Sequence, residues 1–109
     1  MSLDATLDAT VNGDVQFSFR VTNTGTTAVT LTFPSGKRAD IAVEDESGST
    51  VWRWSDGRMF TQMITRATLE PGEQIEESFT WSDPPPGRYV ARGTLEADHD
   101  LATETELTV

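Results

Sequence analysis

The chain of 109 residues contains no cysteine, which removes disulfides and thiolate metal sites and fits a reducing compartment. It has one histidine, His99, flanked by Asp98 and Asp100. A Ser-His-Asp triad would have to be built on that one imidazole in an acidic turn. Neither a glycine-rich phosphate loop nor a Gly-x-Ser-x-Gly elbow is present. No enzyme is expected. No apolar run approaches the ~20 residues of a membrane span. The first residues, Met1-Ser2-Leu3-Asp4-Ala5, lack the basic start and apolar stretch of a secretory signal. A cytoplasmic location is therefore expected.

Positive charge is also scarce. Eight basic residues face eighteen acidic ones, a net charge of -10, and Lys37 is the only lysine. Such a surface repels phosphate backbones and anionic membranes, so neither nucleic acid nor a membrane is an expected partner. Low lysine beside abundant Asp, Glu and Thr predicts a halophilic protein, in which salt screens self-repulsion.

Val, Ile, Leu and Phe make up only about a fifth of the chain, close to the level at which disorder is a concern. Their placement argues for order. Val15-Gln16-Phe17-Ser18-Phe19-Arg20-Val21-Thr22 alternates apolar and polar residues, putting four large side chains on one face of a strand. Asn23-Thr24-Gly25-Thr26 reads as a turn, and Val29, Leu31 and Phe33 resume the alternation. Ile41 and Val43 mark a short strand ended by Glu44-Asp45-Glu46-Ser47-Gly48. Ile75, Phe79 and Trp81 repeat the period. So do Tyr89, Ala91, Gly93, Leu95 and Ala97, and then Leu101, Thr103, Thr105, Leu107 and Val109. Leu3 to Val11 shares one parity and predicts an edge strand. The triple proline Pro84-Pro85-Pro86 cannot enter a central strand. No window has a helical period. The expected architecture is all-β: a single domain over residues 1–109, an antiparallel two-sheet immunoglobulin-like sandwich of about eight strands. A small barrel is the alternative.

Between the fourth and sixth apolar groups lies Val51-Trp52-Arg53-Trp54-Ser55-Asp56-Gly57-Arg58-Met59-Phe60. Asp56-Gly57 predicts a tight hairpin turn of type I′. In that register Trp52 and Trp54 share a face with Met59, Thr61 and Met63, while Val51, Phe60 and Ile64 take the other. Trp52, Trp54 and Phe60 read first as sandwich core and second as an interface patch for a partner. Tyr89, just after Gly87, is placed to form a tyrosine corner. His99 between two aspartates reads as a solvated turn, and Glu44-Asp45-Glu46 lacks the oxygen spacing of a calcium loop. No metal or cofactor is expected.

The run Val21-Thr22-Asn23-Thr24-Gly25, then Thr30-Leu31-Thr32-Phe33-Pro34-Ser35-Gly36, resembles the opening of the intracellular proteinase inhibitor family of BsuPI type. Trp52-Arg53-Trp54-Ser55 and Met59-Phe60-Thr61-Gln62 are similar to that family's most distinctive segment. Leu69, Pro71-Gly72-Glu73, Trp81 and Pro86-Gly87-Arg88-Tyr89 follow in matching order. The resemblance spans roughly Val15 to Leu95. It implies an immunoglobulin-like sandwich and an inhibitor of an intracellular subtilisin-type serine proteinase, a non-catalytic protein binder. Such a proteinase favours a large apolar side chain at its cleavage position. The leading inhibitory segment is therefore Trp54, Asp56, Gly57, Arg58, Met59, Phe60 and Met63. Loops Pro34 to Ala39 and Pro84 to Gly87 compete with it. The other reading of the whole chain is a general immunoglobulin-like interaction or scaffold module with no proteinase target. A monomer is expected, since dense negative charge opposes pairing at exposed strand edges.

Overall fold

The computed structural model describes residues 2–109. Among them are nine strands and no helix: β1 (Leu3–Asn12), β2 (Asp14–Asn23), β3 (Val29–Phe33), β4 (Ala39–Glu44), β5 (Thr50–Arg53), β6 (Thr65–Leu69), β7 (Gln74–Trp81), β8 (Arg88–Leu95) and β9 (Ala102–Thr108). They pair antiparallel throughout, in the orders β1-β2-β7, β3-β6 and β5-β4-β8-β9.

The alternation in β2 does what the pattern requires. Val15, Phe17, Phe19 and Val21 are all buried, while Gln16 is exposed. β2 lies between β1 and β7, so its backbone is bonded on both sides and its apolar face is free to pack. β1 is an edge strand, as expected, and fully buries only Leu7.

The apolar face of β2 and β7 meets that of the four-stranded sheet. Trp52 on β5 stacks between Phe17 (ring centroids 6.1 Å apart) and Trp81 (5.7 Å). Gly93 on β8 lies so close to Phe19 that an added Cβ would be 2.7 Å from its ring. These contacts define a sandwich whose shared core draws on both layers.

The strand pairing differs in one respect from the two sheets expected. The pair β3-β6 continues the β2-β7 ladder beyond a corner. Between the pairs Thr22–Gln74 and Val29–Leu69, the first chain has two more residues than the second. Asn23 fills that mismatch. It is fully buried; its side-chain amide donates to the carbonyls of Thr27 (2.8 Å) and Leu69 (2.9 Å), and its oxygen accepts from Gly25 N–H (2.9 Å). The turn residue of the sequence reading is therefore the internal bracket of a bend.

The remaining turns are locally determined. The Asp45 carboxylate accepts from the backbone N–H of Ser47 and Ser49 and from the Ser47 hydroxyl, closing the β4-β5 hairpin. Those bonds, the Ser47 hydroxyl foremost, hold its carboxyl below the usual range. Tyr89 donates its hydroxyl to the Pro85 carbonyl at 2.7 Å, the tyrosine corner expected from its position.

Candidate functional site

The type I′ hairpin expected at Asp56-Gly57 does not form. β5 ends at Arg53, and residues 54–64 contain no strand. They form a strap that leaves β5 and joins β6, which belongs to the other ladder. The physical reason lies outside the segment. Trp54 N–H donates to the Ile41 carbonyl (2.9 Å), and Ser55 is held by the Asp40 carboxylate. Two overlapping turns follow, with Asp56 N–H donating to Arg53 O (3.1 Å) and Arg58 N–H to Ser55 O (3.2 Å). Gly57 takes φ 76°, the left-handed region that a glycine enters without strain.

The expected facing of the aromatics changes with it. Trp54 and Phe60, assigned to opposite faces, pack together with ring centroids 5.5 Å apart. Trp54 also meets Phe79 of β7 edge-on at 4.8 Å, which ties the strap to the three-stranded sheet. Arg58 folds back over Trp54: its guanidinium lies 4.6 Å from the ring centroid, and its Nε donates to the Trp54 carbonyl at 2.8 Å. A cation over an indole face is attracted by the ring quadrupole. Farther along, Thr61 O accepts from Gly36 N–H at 2.8 Å. A Cβ at position 36 would lie 2.6 Å from the Thr61 hydroxyl, so a side chain there would have to turn that hydroxyl aside.

Between the Trp54–Arg58 clamp and the Gly36–Thr61 bond, the chain turns outward. Met59, within that stretch, is 98% exposed; beyond Thr61, Met63 is 67% and Ile64 64% exposed. Isolated apolar side chains on a surface are ordinary, but three within six residues, one of them almost wholly in solvent, set this segment apart. Of the residues singled out in the sequence, Asp56, Gly57, Arg58, Met59 and Met63 are exposed, while Trp54 and Phe60 are half-buried as supports. Ile64 joins the exposed set. Asp40, Gly36 and Phe79 hold the strap from far along the chain, so nothing within residues 54–64 signals them.

The two competing loops have different surroundings. Pro34 to Ala39 braces the strap through Gly36. In Pro84 to Gly87, Pro84 is buried, Pro85 accepts from Tyr89, and Gly87 exchanges both backbone bonds with Val109. His99 departs from a solvated turn: its Nε2 lies 3.3 Å from the Thr30 carbonyl on β3, and its side chain is only 19% exposed. Beside it the Asp98 carboxylate accepts from Thr32 N–H at 3.0 Å, and that bond lowers its pKa. No helix among the described residues is long and apolar enough to cross a membrane.

The family model of BsuPI, intracellular proteinase inhibitor, matches residues 3–99, a span that includes the strap and both braces. This chain belongs to the BsuPI family. No curated protein matches it. Among solved structures, a CARDB domain from Pyrococcus furiosus, in complex with di-metal ions, is similar with a TM-score of 0.53 and 17% identity. The match covers 99% of this chain and 92% of that one. β-Glucosidase 3B from Thermotoga neapolitana, in complex with glucose, is similar over 99% of this chain but 16% of that chain, with TM-score 0.53 and 14% identity. A β-glucosidase from Kluyveromyces marxianus gives TM-score 0.54 and 17% identity over 99% of this chain and 14% of that one. The BsuPI-family chain thus spans about a sixth of these glycosidases. At such identities the likeness is one of fold alone.

Proposed function

We propose that this BsuPI-family chain is a non-catalytic inhibitor that acts in the cytoplasm on a subtilisin-type serine proteinase. It docks the 54–64 strap, with Met59 foremost, in the enzyme's substrate cleft. The observation that carries the reading is the exposure of Met59 between two anchored points. A large apolar side chain suits the cleavage pocket of such an enzyme. A segment already held by its own fold loses little freedom on docking, which favours tight binding. Family membership supports a proteinase partner.

The test is a titration of a subtilisin-type proteinase with the purified chain. Stoichiometric loss of proteolysis is expected. Met59→Asp should weaken inhibition by about 30-fold or more, the effect of removing a central interface anchor. Met59 packs on nothing that the fold requires, so this variant should keep its stability. Undiminished proteolysis at excess chain would overturn the reading in favour of an immunoglobulin-like interaction module with no proteinase target.

A further inference from the structure

Asp40 breaks the pattern of its strand. β4 is an interior strand, paired with β5 and β8, and Asp40 is buried (4% exposed) between buried Ala39 and Ile41. A carboxylate in such a place is costly unless its oxygens are bonded and its charge is offset. Both conditions are met. Oδ1 accepts from the backbone N–H of Ile41 (2.9 Å) and of Ser55 (3.1 Å), and Oδ2 accepts from the Ser55 hydroxyl. Lys37 Nζ and the Arg53 guanidinium stand 3.8 and 3.9 Å away. The sheet itself has no use for the charge; β4 pairs with its neighbours through backbone groups. Two of the three bonds go to Ser55, the second residue of the strap.

We infer that Asp40 is the positioning residue of the strap: its buried carboxylate grips Ser55 and thereby sets the direction in which Met59 is presented. This rests on the strap being the inhibitory segment. The path runs from Asp40 to Ser55, through the Ser55–Arg58 turn, to the Arg58–Trp54 clamp, and so to Met59. Bonds to an ionised acceptor are stronger than neutral ones, and their loss frees the segment they hold. A freed strap would have to be ordered again on docking, and it would also fit a proteinase as a substrate and be cut.

The experiment compares wild type, Ser55→Ala, Ser55→Thr and Asp40→Asn by limited proteolysis with chymotrypsin, which cuts after exposed Phe and Met. Each variant is also melted and titrated against the subtilisin-type proteinase. Ser55→Ala should be nicked within residues 58–64 about tenfold faster than wild type, the size expected for a lost bond to a charged group. Its inhibition should weaken by a similar factor while its melting temperature stays above that of the assay. Ser55→Thr, which keeps a hydroxyl, should restore both. Asp40→Asn should resemble Ser55→Ala if folded; if it unfolds, the serine variants decide. Unchanged strap nicking in Ser55→Ala, or nicking spread over the whole chain, would overturn the inference. Failure of wild type to inhibit would instead sink the inhibitory reading, and the nicking comparison would still decide whether Asp40 orders the strap.

Discussion

Replacing Gly93 with alanine adds one methyl group at the seam between the layers. Gly93 has ordinary extended backbone, so alanine meets no torsional penalty there. In an open strand the exchange would stabilise by about 0.5–1 kcal/mol, because glycine loses more freedom on folding. Here the new Cβ would sit 2.7 Å from Phe19 Cδ1, 3.1 Å from Cε1 and 3.4 Å from Ile41 Cδ1. Phe19 is 1% exposed and Ile41 0%, so neither can swing into solvent. Overpacking of this kind costs about 1–3 kcal/mol. At about 4 °C per kcal/mol for a chain of this size, the melting temperature should fall by roughly 4–12 °C. Phe19→Leu makes room, so its own cost should be smaller in the Gly93→Ala background than in wild type, a coupling that a double-mutant cycle reads directly. A rise in melting temperature for Gly93→Ala, or additive effects of the two changes, would refute the face-to-face packing of β2 on β8.

Asn23→Ala removes the bracket at the bend and leaves the buried Leu69 carbonyl without its amide donor; a loss of about 2–4 kcal/mol in urea unfolding is expected. Because the bond from Thr32 N–H lowers the folded pKa of Asp98, its contribution to stability is complete above the unfolded value near pH 4. That contribution is lost as pH falls through the lower, folded value. Asp98→Asn should therefore flatten the acid limb of the melting temperature against pH, without altering the neutral plateau's slope. With a net charge of -10, we expect the melting temperature to rise between low and molar potassium chloride, and differential scanning calorimetry checks it.

Period-two alternation was enough to read β2, β3, β8 and most of β7, because each buries one face against an opposite layer and the pleat alternates with the chain. Tyr89 and the Asp45 turn were legible for a related reason, since their partners lie within four residues. The segment after Trp54 was not. Asp-Gly between apolar groups is a strong hairpin signal, but it assumes that the next strand returns beside the last. Here Asp40, fifteen residues earlier, holds Ser55, and the chain crosses to the other ladder. Asp56, Gly57, Arg58, Met59 and Met63 are exposed even though the backbone takes another path. Their supports were invisible, since a buried carboxylate and a close-packed glycine are identified only by what folds against them. The bend at Asn23 is hidden for the same reason: an Asn-x-Gly turn signal does not show that its amide reaches Leu69.

Hydrogen exchange of the chain, alone and bound to a subtilisin-type proteinase whose nucleophilic serine is replaced by alanine, tests the central claim most directly. Slower exchange concentrated in residues 54–64, with weaker protection of the bracing loop around Gly36 and none at Pro84 to Gly87, is the predicted result. Protection centred on another loop, or no protection with enzyme in excess, would contradict it.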